Sequence, residues 1–186
     1  DTVILPGTML QGKTKVGKNC ILGPDTQLTD VICGDGNHLN RVYAHSCELG
    51  DNNEIGPFVH LRPETCLHND IKIGNFVEVK NSDVDDGTKL PHLIYCGDSD
   101  LGKNVNFGCG TVTVNFDGKN KHRCTIDEHA FIGCNTNLVA PVHVGARAFT
   151  AAGSTITKDV PAKALAVGRA KQVNIENWVK EDTYKD

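Results

Sequence analysis

Between Arg62 and Lys121 the chain scatters side chains that could do chemistry through segments otherwise made of small and aliphatic residues. They fall in Leu61-Arg62-Pro63, in Asn75–Lys80 with Glu78, in His92-Leu93-Ile94-Tyr95-Cys96-Gly97-Asp98, in Asn104-Val105-Asn106, and in Asn115-Phe116-Asp117-Gly118 followed by Lys121. Arg62 and Lys80 stand three hexads apart. Were the chain to coil with that repeat, the two cations would lie one above the other and repel unless an anion joined them. Alone, such a pair flanked by Glu64 and Glu78 would read as solvated surface charge. With His92, Tyr95 and Lys121 around the same cleft, the set suits a phosphate-bearing substrate from which a proton must be removed.

A six-residue rhythm sets the elements that must position these groups. An aliphatic residue returns at Ile4, Leu10, Val16, Leu22 and Leu28, again at Leu49, Ile55, Leu61, Leu67, Ile73 and Val79, and again at Ile126, Ile132, Leu138 and Val144. Gly often follows it, and a small or β-branched residue stands four positions on. A period of six fits neither an amphipathic helix nor a half-buried strand. It predicts an all-β fold, a parallel β-helix in which each hexad forms one side of a triangular coil and stacked coils bury a continuous apolar column. The rhythm loses phase in three places: from Leu28 to Leu49, from Val79 to Leu101 and from Phe107 to Ile126. None of these steps is a whole number of hexads. Each slip is expected to expel residues as a bulge or loop, and loops on rigid scaffolds tend to carry function. The last, a loop insertion over about 113–125, is the most basic and polar stretch. One β-helical domain is expected over 1–167, with a polar tail over 168–186 that is irregular or forms a weak helical turn near Ile175–Val179.

The 186 residues carry a net charge of −4, which argues against a nucleic-acid binder. No apolar run is long enough for a membrane helix and no signal-peptide pattern is visible, so a cytoplasmic protein without membrane insertion is expected. Of the eight cysteines none forms a C-x-x-C pair. They read as small apolar fillers in a reduced protein, with a catalytic thiol at Cys109 or Cys134 the weaker reading because no base adjoins either. No His grouping has the arrangement of the zinc-binding β-helical carbonic anhydrases. His122 and His129 come nearest, and no metal is expected.

The motifs GPFVHLRP, GNFVEVK, PHLIYCGD, GKNVNFGCGTVTVNFDGKNKH and NLVAPVHVGARAFTAAGSTIT resemble the acetyltransferase domain of the bacterial bifunctional N-acetylglucosamine-1-phosphate uridylyltransferase / glucosamine-1-phosphate N-acetyltransferase. The resemblance covers nearly the whole chain and is strongest from Gly56 to Arg169. It implies a left-handed parallel β-helix and acetyl-CoA-dependent N-acetylation of glucosamine-1-phosphate, on the route to UDP-N-acetylglucosamine. His92 would be the general base, with Glu78 orienting it and Asn115 helping to hold it. Arg62, Lys80, Tyr95 and Lys121 would hold the sugar phosphate, and Asn106 the sugar. Acetyl-CoA would lie against Cys109, Asn115, Phe116, Cys134, Ala152 and Arg169. The resemblance also implies a homotrimer whose sites draw on neighbouring subunits. Phe116, Cys109 and Cys134 depart from the Tyr, Ala and Ser usual at their positions, which touches CoA binding more than chemistry. The chain shows no Gly-rich N-terminal uridylyltransferase domain, so UDP-sugar formation is not expected of it. Other readings are an acyltransferase acting on another amino sugar and a non-catalytic trimerisation or regulatory module of a nucleotidylyltransferase.

Overall fold

A computed structural model describes residues 1–179. Each coil turns through three short parallel strands. Along the first face the outward residues stack as Val3, Ile21, His38, Glu54, Lys72, Lys89, Asn106, Phe131, Phe149 and Leu165, which makes ten coils. The second face stacks Gln27, Tyr43, His60, Glu78, Tyr95, Val112 and Asn137, and the third Glu48, Cys66, Asp83, Asp100, Thr125 and His143. Successive rungs are nearly evenly spaced in sequence, apart from the long step from Asn106 to Phe131. The coils wind left-handed.

The repeat's aliphatics form the buried column: Leu22, Leu39, Ile55, Ile73, Leu90, Phe107 and Ile132 lie against one face, with Leu28, Leu61, Val79, Cys96 and Leu138 against the next. At most corners the residue before the small or β-branched buried one adopts a left-handed backbone, as at Phe76 (φ 58°), Leu93 (φ 51°) and Asp98 (φ 48°). At one of these corners Asp and Asn recur because their side-chain oxygens take the backbone N–H one coil below. Asp35 accepts from Lys18, Asp51 from Asp35, Asn69 from Asp51 and Asp86 from Asn69.

Two of the three slips in the rhythm expel nothing. Between Leu28 and Leu49 the inward residues are Cys33, Leu39 and Ala44; between Val79 and Leu101 they are Val84, Leu90 and Cys96. Several of these steps fall one short of a hexad, because the corner loses a residue while the left-handed residue stays. The expected bulges there are shortened corners. The third slip is a true excursion of Asn115–Arg123, since Val112–Val114 and Cys124–Ile126 remain in the ladders on either side. Ile175–Val179 form no helix; a turn at Glu176–Asn177 interrupts them. Residues 180–186 of the expected tail lie outside the described residues. Among the described residues no helix is long and apolar enough to cross a membrane.

Cys20, Cys33, Cys47, Cys96 and Cys124 are buried in the column, as expected of small apolar fillers. Burial pushes the thiols of Cys33, Cys47 and Cys124 up to about 12 and that of Cys96 to about 11, so they stay neutral. The column carries the stability. Leu90 is fully buried between Ile73 and Phe107 of the adjoining coils, and Leu90→Ala is expected to cost about 2–5 kcal/mol in urea denaturation at fixed protein concentration.

Candidate functional site

Two long strands, Lys72–Lys80 and Lys89–Gly97, run unbroken round the corner from the first face to the second and carry most of the predicted site. Their register sets Asn75 under His92, Glu78 under Tyr95 and Lys80 under Gly97. One coil further down, Leu61 pairs with Val79, which puts Arg62 beneath Lys80. The three-hexad spacing of the two cations is one coil.

Arg62 Nη1 donates to Glu78 Oε1 at 2.7 Å, and this contact raises the guanidinium pKa further. Both side chains are more than a third exposed, so the pair is worth at most about 1 kcal/mol; its effect is to aim the Arg. Lys80 has Lys121 for a neighbour. The excursion brings Lys121 back over the second face, where the Lys80 ammonium lowers its pKa while Asp98 and Tyr95 oppose the shift. Neither lysine enters an ion pair among the described residues.

The loop is anchored at its entrance, waist and exit. Asn115 is buried, and its Nδ2 donates to Asp98 Oδ2 and, at 3.3 Å, to the Tyr95 hydroxyl. Asp98 is itself only 2% exposed and also accepts from Asn81 Nδ2. At the waist, Asp117 accepts from the N–H groups of Asn120 and Lys119 at 2.6 and 2.8 Å and contacts His122 Nε2 at 2.8 Å. Those contacts, the Asn120 N–H foremost, hold its carboxyl down at about 2. They persist above the ordinary carboxylate range and are lost only as pH falls through about 2. At the exit Arg123 pairs with Asp100 and donates to the carbonyls of Asn81 and Ser99, each at 3.1 Å. Gly97 admits the whole arrangement: a Cβ there would lie 2.5 Å from the Tyr95 hydroxyl oxygen and 2.8 Å from Asn115 Nδ2.

His92 stands at the other end of the second face, exposed at the corner. Its Nδ1 lies 3.1 Å from Asn75 Oδ1. With Nδ1–H donating to that oxygen, Nε2 keeps its lone pair and faces outward. The same corner position in the coils above is held by Cys109, Cys134 and Ala152: Asn135 N–H donates to the Cys109 carbonyl at 2.7 Å, Gly153 N–H to that of Cys134 at 2.8 Å, and Arg169 runs beside Gly153. The second face bears a groove of about 940 Å³ that runs from Met9 and Gln27 past Tyr43 and His60 to Glu78, Tyr95 and Val112, and His92 and the lysines do not line it. Along it runs an exposed ridge of Phe58, Phe76 and Leu93, the two rings stacked at 5.5 Å.

No protein-family model matches the chain. It is 53% identical over 179 residues to the bifunctional protein GlmU of Geobacillus sp. (strain WCH70), 96% of this chain and 39% of that protein. This chain is a relative of GlmU. The GlmU of Caldanaerobacter subterraneus subsp. tengcongensis is 55% identical over 181 residues, 97% of this chain and 40% of that protein. The chain thus spans about two fifths of the length of the GlmU relatives it matches. Among solved structures, an Arabidopsis UDP-N-acetylglucosamine acyltransferase superposes with a TM-score of 0.62 at 15% identity, over 90% of this chain and 69% of that one, which establishes a shared fold.

Within this GlmU-like chain the predicted residues fall into three groups. Arg62, Glu78, Lys80, Tyr95, Asn115 and Lys121 gather at one end of the second face, with Phe116 exposed on the loop above. His92, Cys109, Cys134 and Ala152, with Arg169 alongside, occupy the opposite corner. Asn106 lies on the first face, stacked over Lys89. Among the described residues neither Glu78 nor Asn115 reaches His92, because each is engaged at the far end of the face; the contact falls to Asn75. Sequence reasoning gave no role to Asn75, Asn81, Gly97, Asp117 or Arg123. For Asn75, Asn81, Gly97 and Arg123 the signal is coil register, readable only once the shortened corners are known; Asp117 acts within its own loop, on Lys119, Asn120 and His122.

The lysine pair is open to direct measurement. Lys80→Ala should return the Lys121 amine toward its ordinary pKa, followed by NMR of its Nζ. Inorganic phosphate should move it the same way in the wild-type chain, since an anion between two cations favours their charged forms. An unchanged titration in both cases would show that the two amines do not face each other.

Proposed function

We propose that the chain N-acetylates glucosamine-1-phosphate with acetyl-CoA as donor, the sugar amine attacking the thioester directly and His92 taking its proton. The observation that carries this reading is the Lys80–Lys121 juxtaposition. Two ammoniums held together with no ion-pair partner among the described residues, above Arg62 and beside a tyrosine hydroxyl, form a receptor for a phosphate dianion. A free Nε2 on His92, its other nitrogen tied to Asn75, is suited to accept a proton as a general base. As the amine nitrogen bonds to the thioester carbon its proton passes to Nε2, the oxyanion forms, and its collapse expels CoA thiolate. In the stretch above His92, Gly108 and Gly110 commit their N–H groups to the ladder while the Cys109 N–H makes no hydrogen bond among the described residues; it is the natural oxyanion donor. The corner column of Cys109, Cys134 and Ala152 then offers a straight track for the arm of acetyl-CoA.

His92 and the lysine clamp occupy opposite ends of the second face, with the clamp beyond the Leu93 corner from His92. In this reading the base and the clamp that serve one substrate come from different subunits, and the exposed ridge of Phe58, Phe76 and Leu93 is where a second copy packs in a closed trimer. Glu78 and Asn115 would act on His92 across that boundary, and Asn106 would meet the sugar there. The chain is read as the acetyltransferase domain of a cytoplasmic enzyme of cell-wall precursor synthesis. A non-catalytic trimerisation module would leave the lysine pair and the free His92 nitrogen without a use.

The test is release of CoA from acetyl-CoA by the purified chain. Release should require glucosamine-1-phosphate and fall sharply with unphosphorylated glucosamine. His92→Ala should lower turnover about 10²-fold or more with the fold intact, and Lys80→Ala should raise KM for the sugar phosphate far more than for acetyl-CoA. Equal use of glucosamine would remove the clamp from the mechanism, and near-normal turnover in His92→Ala would remove the base.

Direct attack also predicts no burst of CoA in the absence of sugar. A stoichiometric acetyl adduct on Cys109 or Cys134, found by mass spectrometry, would replace it with a two-step transfer.

A further inference from the structure

On the third face, away from the groove, Cys66 in a two-residue strand and His68 just after it flank the buried Leu67, and Asp83 lies directly above Cys66 in the next coil. The Cys66 Sγ, a ring nitrogen of His68 and a carboxylate oxygen of Asp83 all lie within 4.8 Å of one another. From these three donors we infer a surface binding site for one divalent transition-metal ion of the zinc class.

The donor set is one soft sulfur, one imidazole and one carboxylate. That mixture matches zinc and excludes calcium and magnesium, which take oxygen donors. Zinc bonds of about 2.0–2.3 Å place tetrahedral ligands roughly 3.3–3.7 Å apart. Rotation of exposed side chains closes the remaining gap without moving the backbone, which inter-coil hydrogen bonds from Cys66 N–H to Ser82 O and from His68 N–H to Val84 O hold in place. His68 Nε2 already lies 3.1 Å from Asp83 Oδ1. The Cys66 thiol has no hydrogen-bond partner among the described residues. Around it are burial and the carboxylates of Asp83 and Glu48, which raise its pKa and attract a cation. Two basic side chains near this face are already engaged, Arg123 by Asp100 and Lys103 by Asp86. A second grouping shares His68 with Asp85 and Asp86. There Asp86 is committed to the Asn69 backbone and to Lys103, so the Cys66 set is the better one. Coordination forms a sulfur–metal bond, sends the thiol proton to solvent, and leaves a fourth position for water. With ligands from two coils, the ion would staple one rung to the next.

Cobalt(II) titration of the full chain tests this. One equivalent should produce a thiolate-to-cobalt charge-transfer band and the visible bands of a tetrahedral ion, and zinc should displace both. Cys66→Ser should abolish the charge-transfer band, His68→Ala and Asp83→Asn should each weaken cobalt binding at least about tenfold, and Cys134→Ser, which removes the exposed thiol elsewhere, should leave the band unchanged. Zinc should raise the melting temperature of the wild-type chain and not that of Cys66→Ser, whose fold is checked by circular dichroism. No band with the wild-type chain, or a band that survives in Cys66→Ser, would overturn the site.

Discussion

Everything in this molecule depends on one constraint, the parallel hydrogen-bond register between successive coils. A residue's neighbours are set by what stands one coil away along the chain, not by its sequence neighbours. That register places Arg62 under Lys80, Glu78 under Tyr95 and Asn75 under His92. It holds because the inward aliphatics of every coil stack on those of the next, so slipping one rung would expose a whole side of the column. The weak ion pairs of the surface add little; they aim side chains that the backbone has already positioned.

The column was legible from the sequence because its signal repeats many times over. Ile73, Leu90 and Phe107 declare the same environment three times, and the small residue four positions on repeats the message. The slips between Leu28 and Leu49 and between Val79 and Leu101 were misread because a missing corner residue and an extra loop shift the phase alike. Only the inward placement of Cys33 and Ala44, or of Val84 and Cys96, tells them apart, and small residues carry little hydrophobic signal.

The site was legible in its residue types and less so in its pairings. Arg62 and Lys80 could be matched because the corners between them are full length, so one coil is three whole hexads there. The Asn75–His92 contact falls one short of that, and reading it needs the shortened corner after Val79. Within one chain Glu78 and Asn115 hold Arg62 and Asp98, so the roles toward His92 that the resemblance implies would need a neighbouring subunit. Pairings of that kind are decided by the ends of a face, which a linear motif does not reveal.

The corner column above His92 has a geometric consequence of its own. Because coils are spaced as strands of one sheet, Cys109, Cys134 and Ala152 follow His92 in equal steps of about 4.8 Å, roughly 14 Å in all. The excursion of Asn115–Arg123 leaves the stack without altering this pitch, since its flanking strands stay in register. The edge is therefore a ruler. Adding or removing a whole coil would change the length it measures by one graduation and leave every other mark where it was.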